Sequence, residues 1–349
     1  MTSLTPSSRC PGFRPRRSSM AADELLVSIV TPSFNQARYL ETTIRSVLGQ
    51  DYPRLEYLIV DGGSSDGSVE IIRRYADRLA WWVSEPDRGQ ADGINKGLRR
   101  AQGEVVAWLN SDDAYAPGAV RAAVEVFQKH PEAGLVFGDA LSIDATGRAF
   151  HTLKAGPWGL KDLMTFHILT QPAVFMRREV AAAVGFLDED FHFLLDHRLW
   201  LKIAARAEMV YVPAVWAFAR YHAEAKNAAH AAEFGEEALR LAGWLATDPA
   251  FGRAYRHLKR PVWAAAHRFR ARYLLDAAHY PAALGGYLRA LAWHPPTALQ
   301  EAHRMAFALL GTVGLGKPLR KWYYRQAWGK TPAEAQALGI TNADAFWAP

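Results

Sequence analysis

The chain has 349 residues, of which 50% are hydrophobic and 22% charged, the composition of a soluble globular protein with room for one large domain or two ordinary ones. No run of about 18 apolar residues is present, which excludes a transmembrane helix, and the single cysteine, Cys10, excludes an internal disulfide and fits a reducing cytoplasm. The formal charge is +6, but residues 251–330 alone carry 14 Lys or Arg against two acids, Asp276 and Glu301; this surplus of +12 implies an anionic partner for that part.

Residues 1–22 are rich in Ser, Pro and Arg without an apolar core, which predicts a disordered tail rather than a secretory signal; Met20 is a candidate start. From Leu25 strand-like and helix-like stretches alternate. Val27–Phe34, Leu55–Val60, Leu79–Val83 and Glu104–Leu109 read as strands. Gln36–Leu48, Ser68–Tyr75, Gln90–Ala101 and Val120–Phe127 read as helices, the last opened by Pro117. Such alternation implies βαβ units and a mostly parallel sheet. Beyond Asp139 the pattern weakens, with strands expected at Pro172–Met176, Val210–Val212 and Val215–Tyr221 and helices at Glu179–Val184 and His197–Ala205. After about residue 228 the sequence is Ala-, Leu- and Arg-rich and helical, broken by Pro261, Pro281 and Pro295-Pro296. The expected organisation is a tail over 1–22, an α/β domain over 23–228 and a basic helical region over 229–349, the boundary falling between residues 222 and 235.

Open α/β sheets bind ligands at the carboxyl ends of their strands. Three such ends carry unusual polar residues here: Thr31-Pro32-Ser33-Phe34-Asn35, Asp61-Gly62-Gly63 and Asn110-Ser111-Asp112-Asp113. Each alone reads equally well as a turn or a helix cap. All three on one edge point to a site. Adjacent carboxylates repel, so Asp112 and Asp113 need something positive; Mg²⁺ or Mn²⁺ takes carboxylate and phosphate oxygens and neutralises a diphosphate leaving group. No Gly-x-Gly-x-x-Gly follows the first strand and no Gly-x-x-x-x-Gly-Lys-Ser/Thr occurs, so dinucleotide and P-loop readings lose their support.

Val27–Asn35, Val60–Ser68, Asp87–Gly97 and Trp108–Asp113, in this order, resemble family 2 glycosyltransferases with the GT-A fold, over roughly residues 25–225. The resemblance implies that Thr31, Pro32 and Ser33 line the nucleotide pocket, that Asp61 hydrogen-bonds the base, and that Gln90, Asp92 and Lys96 lie near the nucleotide sugar. It implies that Asp113 is the direct metal ligand and Asp112 lies nearer the ribose. The usual first acid of this motif is Asn110, which leaves one fewer negative charge. The acid that takes the acceptor proton lies in relatives just before a Leu-Trp helix, here Asp196 in Leu194-Leu195-Asp196-His197-Arg198-Leu199-Trp200, though Asp196 could also merely cap that helix. His222, in Arg220-Tyr221-His222, matches a histidine that completes the metal or diphosphate site. Asp139, after a strand in Phe137-Gly138-Asp139, and Gln171, before Pro172, are weaker candidates, Asp139 facing the acceptor.

Residues 230–330 match none of these motifs. Ala271–Tyr287 and Ala290–Leu310 are expected to form an antiparallel helical pair turning at Asp276–Pro281. Gly311–Trp328 mixes Leu315, Leu319, Trp322, Tyr323, Tyr324 and Trp328 with Lys317, Arg320, Lys321 and Arg325, a blend that suits an anionic membrane surface or, equally, a packed helical cap with a solvated basic face. No nucleic-acid motif accompanies the charge. The expectation is a non-processive, inverting, metal-dependent glycosyltransferase moving one sugar from a nucleotide-diphosphate sugar to a lipid-linked or polysaccharide glycan, cytoplasmic or peripheral on the inner face of the membrane. The rivals are a nucleotidyltransferase, which lacks its Gly-rich basic loop here, and an inactive sugar-nucleotide-binding or assembly protein.

Overall fold

The computed structural model describes residues 25–222, 230–316, 319 and 332–348. The tail expected at 1–22, and Lys317, Arg320 and the residues from Lys321 to Trp328, lie outside the described residues.

Strands β1 (Val27–Ser33), β2 (Leu55–Asp61), β3 (Trp81–Ser84) and β4 (Val105–Trp108) alternate with helices α1 (Ala37–Leu48), α2 (Ser68–Arg74) and α3 (Gln90–Arg100). They pair in parallel in the order β3-β2-β1-β4. β1 is buried at every position, as a β-branched strand covered on both faces should be. Successive side chains point to opposite faces. Val30, Leu58, Val60, Val106 and Trp108 pack with Ile94 and Leu98 of α3 on one side. Val27, Ile29, Tyr57, Ile59, Val105 and Ala107 pack with Leu40, Ile44 and Val47 of α1 on the other. Gly97 sets the approach of α3 to β1, because a Cβ there would lie 2.3 Å from Val30 Cγ1.

The second half departs from the parallel pattern. It comprises β5 (Ala114–Tyr115), α4 (Ala119–Lys129), β6 (Ala133–Ile143), β7 (Ala149–Leu153), α5 (Leu160–Met164), β8 (Val174–Arg177), α6 (Arg178–Ala183), α7 (Leu195–Ala204) and β9 (Glu208–Arg220). The sheet continues β4-β8-β6-β9-β5, with β7 on β6. β8 runs antiparallel to both neighbours and β9 runs parallel to β6, so this half is mixed. β6, eleven residues buried throughout, was expected only as a strand at Phe137-Gly138-Asp139, without its full length: Gly134, Gly138, Asp139 and Ser142 interrupt the apolar run on which a strand reading relies. The strands expected at 210–212 and 215–221 are one strand, β9. Pro213 sits inside it, where the register against β6 jumps from Phe137–Tyr211 to Asp139–Val215, an irregularity that tolerates a missing donor.

Helices Ala231–Thr247, Gly252–Asp276, Tyr280–Trp293, Pro295–Leu299 and Ala302–Leu310 follow. Pro261, expected to break a helix, lies within Gly252–Asp276. The carbonyl it leaves without a helical donor belongs to exposed His257, on the solvated side. Pro281 and Pro295 open helices instead, where the missing N–H is no loss. The turn of the hairpin is 277–279, with Ala278 at φ 63°, and its two arms are Gly252–Asp276 and Tyr280–Trp293, in place of 271–287 and 290–310. Phe234, Ala238, Leu241, Leu245, Val262 and Phe269 share one hydrophobic cluster with Leu199, Trp200 and Trp108, so the first two of these helices cover α7. Ala335, Ile340 and Ala343 pack instead on Ala114, Leu141 and Phe218, at the far edge of the sheet. No described helix is long and apolar enough to cross a membrane.

Candidate functional site

After β4 the chain turns tightly, Asp113 N–H donating to the Asn110 carbonyl at 3.1 Å. Asp113 is buried. One of its oxygens accepts from the Arg220 backbone N–H at 2.9 Å and the other from Asn110 Nδ2 at 3.3 Å. Burial, and then the neighbouring Asp112, push its carboxyl well above the usual carboxylate range. Asp112 keeps more exposure, and its Oδ2 lies 3.0 Å from Nε2 of His222. The His222 ring packs 5.0 Å from Tyr39. The turn thus carries two adjacent carboxyl groups, and the end of β9 brings the His222 imidazole against one of them, Asp112. That donor set fits a hard divalent cation. Among the described residues no cluster of three His, Cys, Asp or Glu side chains converges as a complete cation site, so phosphate oxygens of a ligand would have to supply further donors.

Asn110 sits in a chain of amides. Gln90 Nε2 donates to Asn110 Oδ1 at 2.8 Å, Asn110 Nδ2 donates to Gln171 Oε1 at 3.0 Å, and Gln171 Nε2 donates to the Trp108 carbonyl at 2.8 Å. An amide is needed at Asn110 because it must donate twice and accept once. A carboxylate could only accept. Gln171 therefore belongs to this chain, bridging it to the end of β4.

The β2 end is built around Asp61, which is fully buried. Its oxygens accept from the backbone of Gly63 and Ser64 and from the hydroxyls of Ser64 and Ser84, at 2.5 to 3.1 Å. Gly62 lies so close to Asp87 that a Cβ would sit 2.8 Å from its Oδ2. Asp92 accepts from the backbone and guanidinium of Arg88, which holds its carboxyl below the ordinary range. Arg88 also pairs with Glu189 at 2.7 Å, and Lys96 pairs with Glu85 at 2.6 Å. Thr31 turns into the core, where its hydroxyl meets Tyr57 OH at 2.9 Å. Pro32 and Ser33 are buried at the same strand end, and among the described residues no partner reaches the Ser33 hydroxyl.

Asp196 occupies the first turn of α7. Trp200, four residues on and so on the same face, stacks on Trp108 at 5.1 Å, which brings that face over the end of β4. The turn before α7 is held from a distance: buried Glu237, on helix Ala231–Thr247, accepts from the backbone N–H groups of His192, Phe193 and Leu194 at 2.6 to 2.8 Å. Asn95 of α3 bonds both the N–H and carbonyl of Leu187 at 3.0 Å. Asp139 is engaged by the Ala155 N–H and Tyr211 OH; desolvation, and then this bond to Asp139, push Tyr211 up to about 12.

The sequence reading missed Arg220 and Glu237. For Arg220 a signal existed, its place two residues before His222. For Glu237 there was none, since one acid on an amphipathic helix is ordinary.

The sequence profile of the family described as Glycosyl transferase family 2 matches residues 28–185. An uncharacterized glycosyltransferase of Mycobacterium tuberculosis is 30% identical over 192 residues, 54% of this chain and 72% of that protein. The chain belongs to glycosyl transferase family 2. An uncharacterized family relative from Rickettsia conorii is 28% identical over 211 residues, 57% of this chain and 34% of that one. TuaG of Bacillus subtilis, named for teichuronic acid biosynthesis, is 41% identical over 103 residues, 29% of this chain and 41% of its own. The chain therefore spans between 34% and 72% of the length of these three relatives. Among solved structures, the mannosyltransferase PcManGT of Pyrobaculum calidifontis, in complex with GDP-Man and Mn²⁺, aligns with a TM-score of 0.56 at 22% identity over 93% of this chain and 88% of its own. TarS 1–349 of S. aureus aligns at 0.56 and 15% identity over 87% of this chain and 93% of its own. At such identities the likeness is one of fold, and that fold is GT-A.

Proposed function

We propose that this chain transfers one glycosyl unit, with inversion and without processivity, from a nucleotide-diphosphate sugar to a hydroxyl of a lipid-linked or polysaccharide glycan. The observation that carries the reading is the Asp112-Asp113 turn, with His222 against Asp112, beside the Gln90–Asn110–Gln171 amide chain at the carboxyl edge of the sheet. The donor's base lies at the β2 end near Asp61, with Thr31, Pro32 and Ser33 forming the adjoining strand end. Gln90, Asp92 and Lys96 flank the sugar and diphosphate. Asp112, Asp113 and His222 hold Mn²⁺ or Mg²⁺, which when bound neutralises charge on the departing diphosphate. Asp196 takes the acceptor hydroxyl proton as that oxygen bonds the anomeric carbon. The bond from the anomeric carbon to the diphosphate oxygen breaks, and the nucleoside diphosphate leaves with its electron pair.

Support for the donor class comes from the family and from PcManGT and TarS, solved with GDP-Man and UDP-GlcNAc. Support for a glycan acceptor comes from the name of TuaG. The +12 surplus of residues 251–330, together with exposed Leu288, Leu309 and Val313, supports placement on the anionic cytoplasmic face of a membrane.

The test is nucleotide release across a panel of UDP-, GDP- and dTDP-sugars with and without Mn²⁺, on wild type and on Asp113→Ala and Asp196→Asn. Loss of the Asp196 carboxylate should lower turnover by about 10²–10⁴-fold, the usual worth of a general base, while leaving Mn²⁺-dependent nucleotide binding intact. Asp113→Ala should lose both. Wild-type turnover in the Asp196 variant would remove it as the base, and release that ignores Mn²⁺ would remove the cation.

A further inference from the structure

Arg220 ends β9 with its side chain fully buried, and its groups reach in two directions. Toward the candidate site, its backbone N–H donates to Asp113 Oδ1 at 2.9 Å and its Nε donates to the Asp112 carbonyl at 2.7 Å. Its guanidinium lies 4.6 Å over the Tyr39 ring, the same ring that packs against His222. Away from the site, the guanidinium forms a two-pronged pair with Asp344, at 2.5 and 3.0 Å, and a further bond to the Asp144 carbonyl at 3.1 Å. A buried guanidinium held by one carboxylate depends on it heavily, since loss of the partner leaves an uncompensated charge.

Asp344 belongs to residues 332–348, which lie along the sheet edge behind the Asp112-Asp113 turn. Asn342 pairs with Arg148, Ala343 N–H donates to Gly147, and Trp347 Nε1 donates to the Tyr115 carbonyl at 3.1 Å. The Trp347 ring fills the space beside Gly49, where a Cβ would sit 2.4 Å from it. Ala335, Ile340 and Ala343 complete a small apolar cluster with Ala114 and Ala116, within three residues of Asp113. Further along, Glu334 is anchored to Lys154 and Thr152 at 2.8 Å each, with no contact to Arg220.

We propose that residues 332–348 act as a clasp on the nucleotide-metal turn, and that Asp344 is a positioning residue which, through Arg220, fixes how Asp112 and Asp113 face a bound cation. This rests on the reading of Asp112-Asp113 as the cation-diphosphate site. The proton and metal chemistry stay with the acids themselves. Asp344 sets their geometry by holding Arg220, whose Nε donates to the Asp112 carbonyl and whose backbone N–H donates to the Asp113 carboxyl. Partners one shell behind a metal ligand orient it in this manner.

The experiment uses the full chain and calorimetric titration of UDP, GDP and dTDP over a series of Mn²⁺ concentrations, carrying forward the nucleotide that binds tightest. The variants are Asp344→Ala, Asp344→Glu and Glu334→Ala, with melting curves of each. Asp344→Ala should raise the Mn²⁺ concentration for half-maximal nucleotide binding by about 10–100-fold, the usual cost of losing such a partner. Excess Mn²⁺ should restore full occupancy, and Asp344→Glu should recover part of the shift. Glu334→Ala loosens the same segment without touching Arg220 and should leave the Mn²⁺ midpoint where it is. A purely structural role would lower the melting temperature or the binding-competent fraction without moving that midpoint. An unmoved midpoint in Asp344→Ala, or an equal shift in Glu334→Ala, overturns the proposal. Wild-type nucleotide binding that is indifferent to Mn²⁺ would instead overturn the site reading beneath it.

Discussion

Asn110 stands where the family usually has an acid, and the structure gives a physical reason to keep it neutral. Its amide nitrogen lies 3.3 Å from Asp113 Oδ2. Asn110→Asp would put a second carboxylate oxygen at that spot. Two full charges there would repel by about 5 kcal/mol at an effective dielectric near ~20. The protein can escape most of this by keeping one proton on the pair. Asp113 is already pushed up by burial and by Asp112, so only a carboxyl newly held neutral counts: at pH 7, against an ordinary value near ~4, that costs at most about 4 kcal/mol. That is a large share of the roughly 5–15 kcal/mol that keeps a domain folded. The sign is that of an acid whose folded value is raised: the penalty is absent below the ordinary carboxyl range and grows as pH rises above it. At pH 5 it should shrink to about 1.4 kcal/mol. Urea unfolding of wild type and variant at pH 5 and pH 7, without divalent cations, measures both numbers, because groups common to the two proteins cancel in the difference. Adding Mn²⁺ with the bound nucleotide should return much of the deficit at pH 7. A variant within 0.5 kcal/mol of wild type at pH 7, a threshold set at about half an ordinary hydrogen bond, or one equally impaired at both pH values, would refute the charge argument.

Two further outcomes follow from the walls of the site. His197 is fully buried, donates from Nε2 to the Leu163 carbonyl at 2.9 Å, and is lowered by desolvation to about 4; a base lowered in this way takes its proton more readily unfolded, so stability is lost as pH falls below ~6.5. His197→Gln keeps the donor and should abolish about 2 kcal/mol of that loss between pH 7 and pH 5, read from paired denaturation curves; parallel curves for the two proteins would refute it. Gly97→Ala drives a methyl to 2.3 Å from Val30 Cγ1, so it should cost about 1–3 kcal/mol by overpacking and, by lifting α3, weaken nucleotide binding through Gln90; an unchanged melting temperature would show that the helix yields freely.

The parallel half of the fold was legible because each of its elements announces itself locally. Val27–Ser33 and Leu55–Asp61 are short apolar runs with polar residues placed at their ends, and Gln90–Arg100 shows an apolar face at helical spacing. The candidate residues read from those strand ends and from the helix after β3 include Asp112, Asn110 and Gln90, and they do come together in space. β6 was legible only around Phe137-Gly138-Asp139, because a strand buried on both faces can use glycine and a paired aspartate without losing its place, so its sequence loses the pattern while its environment keeps it.

What local patterns could not carry is the support of the site. Arg220 meets Asp344 across 124 residues and Glu237 meets Leu194 across 43. A charged residue has no period and no neighbour in sequence that marks its partner. Its meaning comes only from burial, which the tertiary fold decides. Both pairs share a logic. In each, a buried charge outside the parallel half fixes the backbone next to an acid: Arg220 beside Asp113, Glu237 two residues before Asp196. The acids themselves sit at a strand end and a helix start, where the chain would otherwise be free to shift. Long-range buried partners of this kind hold such positions at a desolvation cost that only a well-formed contact can offset. On this argument the helices after residue 230 and the 332–348 segment are structural complements of the two acids rather than appendages. A chain cut near residue 222 would keep Asp112, Asp113 and Asp196 while losing both Glu237 and Asp344, the groups that hold them in place.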